Sequence, residues 1–281
     1  MKGVIVDLDR TVKEPGKPLK EEVFDTMYQT MQRTVFGFAT GRSIPSIQRI
    51  ITEPYQNYLA SRNLNVDPKR LFIAGNNGAF AFAGFKPADK LYERPLDIQE
   101  VLRLPETTIL SRITHAYVGT PFTLEGMNGM DSFDDYCFYL EHPRVSEILM
   151  QLGINESHEL LVRRINTEIQ HANISIRTQN LANNSDNKPF ELRALANTDG
   201  IDIVNRQVSK ATAYEAYRAH TSSTLGVPVE KGQILAIGDS PDGNDRELTT
   251  RPGGVSDITR HGPQAVLEFI KQTVLNGYEK F

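Results

Sequence analysis

The chain of 281 residues contains a single cysteine, Cys137, so no intrachain disulfide can form and a small secreted scaffold stapled by disulfides is excluded. A reducing, cytoplasmic setting is the expectation. Basic residues are not in excess either: 31 Lys and Arg stand against 35 Asp and Glu, a formal net charge of -4. Gripping a polyanion needs a concentrated basic face, so nucleic acid is not an expected partner. No run approaches the roughly 18 apolar residues of a membrane span. The opening stretch MKGVIVDLD is shorter than a signal-peptide core and turns acidic at once. A soluble, unprocessed chain with no membrane partner is expected. There is no repeat and no low-complexity tract.

What is present is an alternating pattern, in a chain longer than one typical domain. The run GVIVDL (3–8) lacks helical period and suits a strand buried on both faces of a parallel sheet. A helix is predicted near Lys20 to Arg33, a second strand in TVFGFAT, and a helix from Ser43 to Leu59. RLFIAGNNGAFAF predicts a third strand and a hairpin around Asn77-Gly78. From about Pro95 to Asn197 the chain is more polar, with helical stretches at Val145 to Leu152 and Ser157 to Leu161 and strand-like alternation in ANISIRT. Then GIDIVNR reads as a strand, Lys210 to His220 as a helix, and QILAIGDS as a buried strand. The predicted fold class is α/β: a doubly wound, Rossmann-like parallel-sheet core over 1–95 and 198–281, interrupted by an inserted α+β domain over 96–197.

In such sheets ligands gather outside the carboxyl ends of the strands. The residues there form a chemical set: Asp7 and Asp9 after the first run, Thr40 and Gly41 after the second, Asn76 and Asn77 after the third, Asp239, Asp242 and Asp245 after the last, with Lys210 opening a helix. Carboxylates are hard ligands suited to Mg2+. Thr40 can donate to a phosphoryl oxygen, and Lys210 offsets the crowded anions. Taken singly, each has a plainer reading. Asp-x-Asp is often a turn, Thr40 with Gly41 can begin a helix, Asn77-Gly78 is usually a hairpin turn, Lys210 is an ordinary lysine and GDSPDGND a solvated loop. Their joint order favours function.

VDLDRT, FATGR, SKATA and IGDSPDGND resemble, in order, the four motifs of the haloacid dehalogenase (HAD) superfamily, over residues 1–95 and 198–281. ATGR, NGA and the large insertion after them are similar to the Cof-type subclass, which includes sugar-phosphate phosphatases. The resemblance implies a phosphatase in which Asp7 is the covalent nucleophile and Asp9 the general acid and base. Thr40, Gly41 and Lys210 would bind phosphate. Mg2+ would be held by Asp7, the backbone carbonyl of Asp9, Asp239 and a further acid. It also implies that the inserted domain selects the leaving group of a small phosphorylated metabolite, expected to be a sugar phosphate. A phosphomutase or phosphotransferase, or a non-catalytic metabolite-binding regulator, is the alternative, and monomer versus homodimer stays open.

Two departures stand out. Arg10 occupies the place of a glycine; a positive φ there costs about 1 kcal/mol or more. Arg10 can instead meet an anionic substrate group. In the fourth motif an extra Asp-Gly makes the last acidic position ambiguous: strict counting selects Asp242, a bulged loop selects Asp245, and the latter is preferred. In the insertion, Glu125 within GTPFTLEGMNGMD can accept from sugar hydroxyls. Arg163, Arg164, His171 and Arg177 can meet a carboxylate or second phosphate, although such side chains usually just face water.

Overall fold

The structure is a computed structural model, and it describes residues 1–118, 133–134, 137–183, 186–196, 200–239 and 245–275. The chain divides into two compact units, Met1–Glu93 with Val208–Phe281, and Arg94–Gln207. Along the chain the first unit begins with β1 (Gly3–Val6), α1 (Glu21–Met31), β2 (Val35–Ala39), α2 (Ile44–Ile47), α3 (Glu53–Ser61), β3 (Leu71–Gly75), β4 (Phe80–Ala83) and β5 (Lys90–Glu93). The second unit carries α4 (Ile98–Leu102), α5 (Ile109–Val118), β6 (Phe133–Asp134), β7 (Cys137–Glu141), α6 (His142–Gln151), α7 (His158–Asn183), β8 (Leu192–Ala196) and β9 (Gly200–Asn205). The first unit resumes with α8 (Lys210–Leu225), β10 (Ile234–Ile237), α9 (Arg246–Thr249), β11 (Gly254–Val255) and α10 (Pro263–Ile270).

The first unit is built on a sheet of order β11-β10-β1-β2-β3-β4-β5. The five strands from β11 to β3 are parallel, and β4 and β5 run antiparallel at one edge. Every residue of β1, β2, β3 and β10 is buried, as expected of strands covered on both faces. Strand β1 lies between β2 and β10, so the chain leaves it toward one side first and returns on the other. That reversal of strand order opens a crevice at the carboxyl ends of β1 and β10. The mixed α/β architecture with a mostly parallel sheet agrees with the fold class expected from the sequence.

The second unit has a four-stranded antiparallel sheet of order β6-β7-β9-β8. Its core joins Val101, Ile113, Leu161, Ile165, Ile169, Ile201 and Ile203. Two expectations are corrected here. GIDIVNR, read as a core strand, supplies β9 of this sheet, paired with both β7 and β8; a short run buried on all sides looks the same in either sheet. ANISIRT, read as strand-like, lies within the 26-residue helix α7. Over a longer window Leu161, Ile165, Ile169, Ala172 and Ile176 recur at helical spacing and pack into the core, whereas Ile174, part of the apparent alternation, is exposed. Among the described residues no helix is long and apolar enough to cross a membrane.

Helix α8 packs closely on the first sheet because two strand positions lack side chains. Tyr217 is fully buried over Gly3 and Gly37, and its hydroxyl donates to the Val35 carbonyl at 2.7 Å. A Cβ on Gly37 would stand 2.7 Å from the Tyr217 ring. Gly37→Ala should therefore destabilise the first unit by about 1–3 kcal/mol through overpacking, and Tyr217→Phe by about 1 kcal/mol through the lost hydrogen bond. Urea unfolding would check both; an unchanged midpoint for Gly37→Ala would contradict this packing.

Candidate active site

The strand ends are laced together before any side chain enters. The Asp7 amide donates to the Ile237 carbonyl at 2.8 Å, continuing the β1–β10 pairing by one residue. The Thr40 amide donates to Ala74, and the amides of Asn76 and Asn77 donate back to Arg42 and Thr40. Asn76 and Asn77 take the left-handed conformation at φ 44° and 57°, which asparagine tolerates. Thr40 and both asparagines are buried, and Gly41 lies beside the Asn77 side chain.

Lys210 is the first helical residue of α8, whose start is capped by Ser209 Oγ accepting from the Thr212 amide at 3.0 Å. A Cβ on Gly78 would fall 2.3 Å from the Ser209 carbonyl, so the turn after β3 must be side-chain-free to let this helix end approach. Lys210 is fully enclosed. Its Nζ donates to Asp7 Oδ1 at 2.6 Å and to Asp245 Oδ1. The other oxygen of Asp245 accepts the Asp239 amide at 3.0 Å. Carboxylate oxygens of Asp7, Asp239 and Asp245 lie within 4.8 Å of one another and could hold a divalent cation. Both oxygens of Asp245 thus accept hydrogen bonds within the cluster, one from Lys210 and one from the Asp239 amide.

Asp9 is held separately. Arg42 Nε donates to its Oδ2 at 2.7 Å and Nη2 to its Oδ1 at 2.8 Å, a bidentate pair, while Lys13 Nζ reaches Oδ1 at 3.1 Å. The buried Thr11 places its hydroxyl 3.5 Å from Asp7 Oδ2. Arg10 does adopt the left-handed conformation, φ 61°, and its side chain is exposed.

These surroundings push the acids apart. Burial raises the Asp7 carboxyl to about 8; Asp245 and Asp239 add to the rise, and Lys210 opposes it. Burial and the neighbouring Asp245 raise Asp239 to about 6. For Asp245, burial is outweighed by Lys210 and the Asp239 amide, which hold it below the usual range. Asp9 is likewise lowered, burial being overcome by the hydrogen bonds and charges of Arg42 and Lys13. Lys210 is raised because two carboxylates outweigh its own burial.

Of the residues singled out in the sequence, Asp7, Lys210, Asp239 and Asp245 converge on one cluster, and Thr40, Gly41 and Asn77 line the neighbouring strand ends. Asp242 and Glu125 lie outside the described residues. In the second unit Arg163, His171 and Arg177 are exposed, and Arg164 pairs with Glu156 and Glu168. Sequence reasoning overlooked Arg42, Lys13 and Thr11. Arg42 was in view as the last letter of FATGR; Lys13 carried only the signal of standing four residues after Asp9.

The model of the haloacid dehalogenase-like hydrolases matches residues 4–251, most of the chain. The chain belongs to that family. The hydrolase has no match by sequence among curated proteins. Among solved structures it is similar to a truncated, IMP-bound IMP-nucleotidase of Plasmodium falciparum at 15% identity and TM-score 0.54, covering 97% of this chain and 68% of that one. It is also similar to a haloacid dehalogenase-like hydrolase of Bacteroides thetaiotaomicron at 14% identity and TM-score 0.52, covering 97% of this chain and 99% of that one. At these identities the likeness concerns the fold.

A cation can use only ionised carboxylates, so its binding to the hydrolase should displace the protons that burial favours on Asp7 and Asp239. With values of about 8 and about 6 in the metal-free protein, affinity for a divalent cation should rise as pH climbs from 6 to 8 and level off above. Titration calorimetry at pH 7 in two buffers of different ionisation enthalpy should show proton release; a pH-independent affinity without release would contradict this electrostatic reading.

Proposed function

We infer that this hydrolase is a magnesium-dependent phosphatase that removes the phosphoryl group from a small phosphorylated metabolite by way of an aspartyl-phosphate on Asp7. The observation that carries the reading is the separation of two neighbouring acids into two environments. Asp7 is enclosed with Lys210, Asp239 and Asp245, and Asp9 is held apart by Arg42 and Lys13. Two carboxylates given different surroundings can take different chemical roles.

Asp7 attacks phosphorus in line, and the bond to the leaving oxygen breaks as the aspartyl-phosphate forms. Asp9 gives a proton to the leaving oxygen and then takes one from the water that hydrolyses the intermediate. Arg42 and Lys13 favour the ionised, proton-accepting form of Asp9; an arriving phosphate dianion favours the protonated form, which the first step needs. The Thr40 hydroxyl, the Gly41 amide and Lys210 are the donors for the phosphoryl oxygens. The donor set fits magnesium: hard carboxylates of Asp7 and Asp239, with the Asp9 carbonyl and with Asp245 orienting. When bound, the ion neutralises the charge that otherwise keeps an anionic nucleophile from an anionic phosphate.

Arg10, exposed in the loop that follows Asp9, is the candidate contact for an anionic group on the leaving portion. Two substrate classes come first: sugar phosphates, from the ATGR and NGA resemblance, and nucleoside monophosphates, since a structural relative is bound to IMP.

Phosphate release from a panel of both classes, with and without magnesium, tests the reading. Release should require the metal and fall to background in Asp7→Asn. Asp9→Asn should lower kcat by about 10²–10⁴-fold, the usual range for general acid–base catalysis. Full activity in Asp7→Asn would sink the covalent mechanism.

A further inference from the structure

Lys13 is a side chain that sequence gives little reason to bury. It is 4% exposed, and an enclosed ammonium is costly unless paired and hydrogen-bonded. An apolar residue after the buried Thr11 and Val12 would avoid that cost. The loop is nevertheless folded to enclose it. The Leu8 carbonyl accepts the amides of Val12 at 3.1 Å and Lys13 at 3.0 Å, and the Arg10 amide donates to the Lys13 carbonyl at 2.8 Å. This turn brings Lys13 Nζ to Asp9 Oδ1 at 3.1 Å, with a second donation to the Glu14 carbonyl at 3.3 Å.

Arg42 reaches Asp9 from another element, just before α2, and is anchored by donating to Ser46 Oγ at 3.1 Å. The two cations differ in enclosure. Arg42 is 31% exposed and Lys13 4%, so Lys13 is the partner that an incoming phosphate cannot readily draw away.

We propose that Lys13 is a positioning residue for Asp9, fixing its carboxylate in the orientation from which it takes a proton from the hydrolytic water. The inference rests on the phosphatase reading above. In that step the bond from water oxygen to phosphorus forms, the bond from phosphorus to the Asp7 carboxylate breaks, and Asp9 receives the water proton; inorganic phosphate and free Asp7 are the products. Lys13 acts through Asp9 alone, its ammonium donating to Asp9 Oδ1 and to the Glu14 carbonyl.

The test is pre-steady-state turnover of p-nitrophenyl phosphate with magnesium by wild type, Lys13→Met, Lys13→Arg and Asp7→Asn, alongside thermal melts of each. Nitrophenolate departs without a proton, so formation of the aspartyl-phosphate is spared and only its hydrolysis depends on Asp9. In Lys13→Met, steady-state kcat should fall by about 10–100-fold, the scale of a small misplacement of a catalytic group, KM should not rise, and a burst of nitrophenolate near one per active site should appear. Lys13→Arg should recover part of kcat and shrink the burst. Asp7-dependent turnover in which Lys13→Met matches wild type, or loses rate without a burst and without recovery by arginine, overturns the role of Lys13 alone. Turnover that survives Asp7→Asn overturns the covalent reading and this inference with it.

Discussion

Everything at this site depends on the charge of Lys210. Carboxylate oxygens of Asp7, Asp239 and Asp245 lie within 4.8 Å of one another, and like charges so close and so enclosed cannot all remain ionised unaided. The ammonium between Asp7 and Asp245 makes the cluster tolerable, and the cluster in turn holds the ammonium inside the protein. Removing one partner of such a buried pair leaves an uncompensated charge, typically at a cost of about 3–5 kcal/mol. The arrangement is therefore weak evidence for stability: an apolar cluster would fold at less expense but could not hold a divalent cation.

The fold serves that constraint by close approach. Lys210 reaches Asp7 because α8 begins against the turn at Gly78, where a Cβ would collide with the Ser209 carbonyl, and because Tyr217 settles onto Gly3 and Gly37. Gly238 does the same for Asp245, since a Cβ there would come within 2.8 Å of the aspartate side chain. The parallel sheet brings the carboxyl ends of β1, β2, β3 and β10 together, and the amide of Asp7 extends the ladder by one bond, so Asp7 stands on hydrogen-bonded strand backbone. Asp9 stands on the loop, where its orientation must be fixed by side chains. Arg42 and Lys13 do this.

Much of this was legible in the sequence for local reasons. Runs such as GVIV, VFGFA and ILAI suit strands buried on both faces, and the polar residues that end them form one chemical set. What stayed hidden depends on contacts distant in sequence or on windows longer than a few residues. The GIDIV run does not reveal which sheet will take it. The alternation in ANISIRT is real over five residues and yields to a helical period over sixteen from Leu161 to Ile176. Nothing local distinguishes Lys13 from a solvated lysine; its role emerges only when the loop folds back on Leu8 and Arg42 arrives at the same carboxylate.

If Asp7 is the nucleophile, it carries the phosphoryl group during turnover, and neither Asp9 nor Asp245 does. Rapid acid quench during turnover of a substrate with a good leaving group, followed by mass spectrometry of the peptide spanning residues 1–13, tests it directly. Phosphate on Asp7, absent when magnesium is withheld and removed by hydroxylamine, is the predicted result. Turnover with no phosphate on this peptide at any quench time, or with phosphate on Asp9, would contradict it.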